Sequence, residues 1–168
     1  MAAATAIMAQ MAIPMPAGVP MTLQTLAVIM AGVILGPKLG SISMLLYILL
    51  GAVGLPVFSG LKGGLAAIVG PTGGFLISFP IMALIIGIGV KENTSSERKK
   101  YGDMRFWVML ILGTIVNFLI GTIMFSLSTG SGFMASLTAC VLPFIPVTII
   151  KTILGGILGL RIRNAIKE

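Results

Sequence analysis

The chain has 168 residues, of which 57% are hydrophobic and only 9% charged, and its mean hydropathy is +1.13. This composition excludes a soluble globular domain and describes an integral membrane protein. The net charge of +7 does not signal nucleic acid, since the basic residues fall in loops and at the C-terminus, and a lone cysteine with no histidine supports neither a metal cluster nor an internal disulfide.

The apolar runs are continuous and separated by short Gly- and Pro-rich connections, which predicts an all-α helical bundle and not a barrel of alternating strands. Residues 1–13 form the first apolar segment, ended by Pro14-Met15-Pro16. Its helical part, 2–13, is too short for roughly 30 Å of hydrocarbon, so the helix is either half-embedded or, the favoured reading, clipped at its N-terminus. Ala2 and Ala6 stand four apart on a small-residue face that would let another helix approach closely.

A second span is expected over 22–35, stopped by Gly36-Pro37, and a third over 39–53, stopped by Gly54-Leu55-Pro56. The connection from 56 to 71 is Gly-rich yet apolar, as expected of a loop folded over the mouth of the bundle with Lys62 as its outward charge. A fourth span over 72–90 and a fifth over 106–127 flank the hydrophilic loop KENTSSERKKYGDMR, and a sixth over 136–160 bends at Pro143 and Pro146.

The loop cations Lys91, Arg98, Lys99, Lys100 and Arg105 make that loop cytoplasmic by the positive-inside rule. Alternating crossings then place Lys38, Arg161, Arg163 and Lys167 on the same side, so nine of the eleven cations agree. The expected architecture is a single six-transmembrane-helix domain spanning 1–168, with both termini cytoplasmic. The loops at 14–21, 54–71 and 128–135 then face outward.

All four acids, Glu92, Glu97, Asp103 and Glu168, lie in loops or the tail, which argues against a proton-coupled pump. Lys151 is the exception among the cations. It sits inside LTACVLPFIPVTIIKTILGGILGL, ten positions before Arg161, or about 15 Å of helix. Such a lysine is either satisfied by backbone carbonyls at the helix break or waits for an anionic or strongly polar ligand. Gln24 can donate and accept, so it either reads an amide-like ligand or bonds to another helix. Tyr47 and Asn117 read as packing and helix-tying residues, and Phe58 and Phe75 lie at the mouth, where they could contact a ring. GPKLGS and GLKGGL both fail the GxxxxGK[ST] spacing, so ATP hydrolysis by this chain is not expected, and no catalytic residue stands out.

The combination of TLQT, GPKLG, LLY, GLPVF and GPTGG, within 19–60 and 70–79, resembles the BioY family, and the similarity extends over nearly the whole chain. The resemblance implies a substrate-binding (S) component of an energy-coupling-factor (ECF) transporter in the prokaryotic cytoplasmic membrane. Such a component captures biotin outside and works with a transmembrane coupling subunit and two ATPase subunits, biotin being the transported ligand and no cofactor being required. It implies docking through an AxxxA pattern that falls on Ala2 and Ala6. The family pattern Pro-x-Asp-x-x-Lys falls on 146–151, with Lys151 kept and Thr148 in place of the acid. Lys151 and Thr148, which the resemblance places at the ligand, join Gln24, Tyr47, Phe58, Thr72, Gly73 and Phe75 as the candidate ligand-binding set. The Thr148 departure keeps open an S component for another small vitamin, and a ligand-free membrane assembly subunit is the reading from a different class.

Overall fold

A computed structural model describes residues 1–15, 18–90 and 103–167. The loop residues Lys91, Glu92, Glu97, Arg98, Lys99 and Lys100, on which the expected orientation rests, lie outside the described residues, as does Glu168.

Helix α1, Ala2–Gln10, is followed by a two-stranded antiparallel ribbon, β1 (Ala12–Ile13) with β2 (Met21–Thr22), in which Ala12 pairs with Thr22 and Ile13 with Met21. The helix thus ends before the expected residue 13. Ile13 precedes Pro14, and a residue before proline is driven out of the α region into extended backbone.

Helix α2 is assigned over Gln24–Ala52 but is broken at Gly36, whose φ of 79° and ψ of −175° only glycine adopts freely. The break is a reversal. Gln24 Nε2 lies 2.7 Å from the Tyr47 hydroxyl, whereas a continuous helix would hold residues 24 and 47 about 34 Å apart. The two arms of α2, about 18 and 24 Å long, therefore run antiparallel. At the turn, a Cβ on Gly40 would come within 2.8 Å of the Ala31 carbonyl oxygen, so the arms close tightly. Arg163 Nη1 donates to the Val33 and Ile34 carbonyls, at 2.9 and 3.2 Å, filling acceptors that the break leaves without helical donors.

Short helix α3 (Leu65–Val69) leads into α4 (Gly73–Gly89). Helix α5 (Met104–Thr129) starts at Asp103, whose carboxylate accepts from the Phe106 amide at 2.9 Å as an N-cap. The last apolar stretch is interrupted. Helix α6 (Phe133–Cys140) passes through a 3₁₀ turn (Leu142–Phe144) into α7 (Ile145–Lys167), with Pro146 in the first turn, where its missing N–H leaves no helical bond unmade.

Helix α4 sits between α2 and α5, and glycines permit the approach. A Cβ at Gly32 would be 2.7 Å from the Ala83 carbonyl oxygen, and one at Gly74 would be 2.7 Å from that of Ile120. Gly155 and Gly159 of α7 likewise receive Ile29 and Val33 of α2. Among the described residues, Met104–Thr129 and the stretch Phe133–Ile166, which the 3₁₀ turn interrupts, are long and apolar enough to cross a membrane, while Gly73–Gly89 and each arm of α2 are shorter. Their outward sides carry exposed Leu45, Leu49, Ile111, Ile115, Ile150 and Leu154. Rows of large aliphatic side chains facing away from a satisfied helical backbone suit lipid and not water, so this is a membrane protein.

Candidate ligand-binding site

The starts of both α4 and α7, the end of α5 and both free ends of α2 meet at one end of the bundle. There the ribbon, the 53–72 connection and α6 surround a cavity of about 340 Å³. That volume suits a small molecule.

Lys151 enters the cavity wall six residues into α7 and is only 6% exposed. Its Nζ donates to the Thr22 carbonyl of β2 at 3.0 Å. An ammonium has three donors, so two remain for other partners. Among the described residues no carboxylate approaches Lys151; Asp103, the described acid, caps α5 at the opposite end. Thr148 lies one turn before Lys151 and shares the wall.

From Thr22 a hydrogen-bonded chain leads across the fold. The Thr22 hydroxyl donates to Gln24 Oε1 at 2.8 Å, Gln24 Nε2 donates to the Tyr47 hydroxyl, and Tyr47 donates to the Val57 carbonyl at 3.0 Å. The Gln24 amide lines the cavity while its oxygen and one of its N–H groups are engaged within the protein. The interhelical role considered for Gln24 is thus realised, and one amide proton is left over.

Tyr47 is fully buried behind Gln24 and does not line the cavity; its ring packs edge-on against Phe58, with centroids 5.5 Å apart, and stacks near Phe79. Gly73 is also off the wall, since its Cα faces the Ile68 backbone. Phe58, Thr72 and Phe75 do line it. Lys62, expected to point outward, is exposed but also reaches the cavity rim.

The 58–62 turn is held by α1. Gln10 Nε2 donates to the Phe58 carbonyl at 3.1 Å, and Gln10 Oε1 accepts from the Leu61 amide at 2.9 Å. Phe58 and Lys62 also pair across the turn.

Asn117 of α5 is 2% exposed and lines the cavity; reading it only as a tie between helices missed this. The signal was available in principle, because Asn117 and Ser78 are polar residues in apolar spans. That they meet depends on α4 and α5 packing at glycines.

Ala2, expected on a docking face, is 7% exposed and packs into the bundle with Thr5 and Ala9. The side of α1 turned outward carries Ala3 and Ile7, and Ala6 is half-buried.

Bundle and cavity together define a helical membrane protein with a cavity of small-molecule size at one end. The whole chain, residues 1–168, matches the BioY family model, and it belongs to the BioY family. It is similar to a probable biotin transporter BioY of Pyrococcus horikoshii, with 42% identity over 146 residues that cover 87% of this chain and 82% of that protein. It is also similar to biotin transporter BioY2 of Lactococcus lactis subsp. cremoris, with 37% identity over 99% of this chain and 88% of that one. Its fold resembles the crystal structure of the S-component for biotin from an ECF-type ABC transporter, with a TM-score of 0.81 and 32% identity, covering 97% of this chain and 86% of that chain.

Proposed function

We propose that this protein captures biotin at the outer face of the cytoplasmic membrane and takes part in its uptake as the S component of an ECF transporter. The single observation that carries this reading is the cavity of about 340 Å³ with Lys151 on its wall, in a chain whose relatives are named biotin transporters. Lys151 keeps two donors for a ligand carbonyl or carboxylate, and the ring faces of Phe58 and Phe75 supply an apolar wall. Thr148 and Thr72 add hydroxyl contacts, and Gln24 adds its spare amide proton. Tyr47 and Gly73 act from behind the wall, Tyr47 by fixing the Gln24 amide.

In this reading the chain is one domain crossing the membrane six times with both termini inside, the α2 arms counting as two of the crossings. It is a transport subunit without an ATPase site, powered by two ATPase subunits through a coupling subunit. The coupling subunit meets the outward side of α1 at Ala6, Ala2 being enclosed. Isothermal titration of the purified protein with biotin and with other vitamins tests it. Saturable biotin binding supports the assignment, while binding of a different vitamin, or of none, replaces it with the alternatives of another vitamin or a ligand-free assembly role.

A further inference from the structure

The nitrogen of the Asn117 carboxamide is turned into the protein. Nδ2 donates to Ser78 Oγ at 2.6 Å and to the Phe75 carbonyl at 3.2 Å. The orientation of this amide is fixed by chemistry. The Phe75 carbonyl can only accept, and the Ser78 hydroxyl gives its proton to that same carbonyl at 2.8 Å, so the side of Asn117 facing them must be NH₂. Its Oδ1 accepts from no group among the described residues. The side chain is nine-tenths buried and lines the cavity, so the amide offers the cavity an oriented acceptor.

Lys151 lies close by. Asn117, Thr148, Lys151 and Thr25 also line a second, much smaller void of about 10 Å³, and the buried Thr25 hydroxyl has no partner among the described residues. The wall thus presents a cation and a hydrogen-bond acceptor side by side. The Asn117 oxygen is open to the cavity, and a ligand that covers it without donating an N–H leaves a carboxamide oxygen buried and unpaired, which is costly.

We propose that Asn117 is a specificity-determining residue whose Oδ1 accepts an N–H of the ligand, selecting a cyclic urea or amide that presents a donor beside the group bound by Lys151. This rests on the biotin reading and assigns one ureido N–H of biotin to Asn117. A ligand of similar size lacking that N–H leaves the acceptor buried and unsatisfied.

The test compares binding of biotin with binding of its two isomers methylated at one ureido nitrogen, using wild type and Asn117→Leu in detergent. Wild type is expected to prefer biotin over one isomer by about tenfold or more, and Asn117→Leu to bind biotin and that isomer within about twofold of each other. Leucine removes the acceptor at similar volume and leaves Ser78 bonded to Phe75. A purely structural role would weaken all ligands by the same factor, and that result, or a wild type indifferent to both methylations, overturns the inference while the biotin assignment stands. A wild type that binds no biotin overturns both. If Asn117→Leu does not fold, Asn117→Ala carries the same ratio, since it opens space without introducing a larger group.

Discussion

The Lys151 ammonium and the Thr22 carbonyl, 129 residues apart in the chain, are joined at 3.0 Å across the cavity wall, so the last helix is tied to the ribbon that borders the ligand space. Replacing the lysine should therefore act on ligand and wall together. Lys151→Met is expected to weaken biotin binding by about 10- to 100-fold, the loss typical of a charged hydrogen bond. Titration of the purified variant measures it, and unchanged affinity removes Lys151 from the site.

Gln10 acts from outside the cavity. Its amide bridges the Phe58 carbonyl and the Leu61 amide, so Gln10→Ala frees a turn that carries one aromatic wall. Biotin dissociation is expected to accelerate severalfold, with each lost bond contributing about 1 kcal/mol at most to the difference. A chase of bound labelled biotin reads the rate, and an unaltered rate shows that the turn holds without its latch.

Two glycines should respond unequally to alanine. At Gly32 the new Cβ meets the Ala83 backbone oxygen at 2.7 Å, where only a helix shift gives relief, whereas at Gly156 it meets the mobile tip of Leu110 at 3.0 Å. Gly32→Ala is expected to lower the Tm in detergent, and Gly156→Ala to leave it within a few degrees, because alanine also favours helix by about 1 kcal/mol over glycine. Equal Tm changes would show that α2 and α4 are not packed backbone against backbone at Gly32.

The two alanines of α1 separate docking from folding. Ala6→Trp is expected to reduce co-purification with the coupling subunit while sparing biotin affinity, and Ala2→Trp to lower the stability of the isolated protein because Ala2 lies in the core. Pull-down yield and thermal melting distinguish them. An unchanged complex yield with Ala6→Trp places the coupling surface elsewhere.

Much of the helical layout was legible because lipid demands long apolar runs, and Gly36-Pro37 marks a reversal through glycine's access to positive φ. Lys151 stood out for the same reason, as a cation without a nearby acid. The end of α1 was misread because Ala12 and Ile13 are apolar and continue the run, while the proline that redirects them acts on one neighbour only. Tyr47 packs and Asn117 ties α5 to α4 as read, but Asn117 also lines the cavity and Tyr47, counted among the candidate ligand residues, does not. Each is a polar residue within an apolar span, and only the rotation of its helix decides which one faces the ligand space. That rotation is set by glycine contacts between helices distant in sequence, and Ala2 was likewise turned inward by packing of α1 on α2 that no local pattern encodes.

The guanidinium of Arg163 has a further meaning in the order of synthesis. The carbonyls of Val33 and Ile34 leave the ribosome some 130 residues before the side chain that satisfies them. Until the last helix inserts, the first helical hairpin carries two open acceptors at its bend, so a turn made early is among the last to be closed. A chain ending short of Arg163 would have every residue of that hairpin and still leave it unfinished.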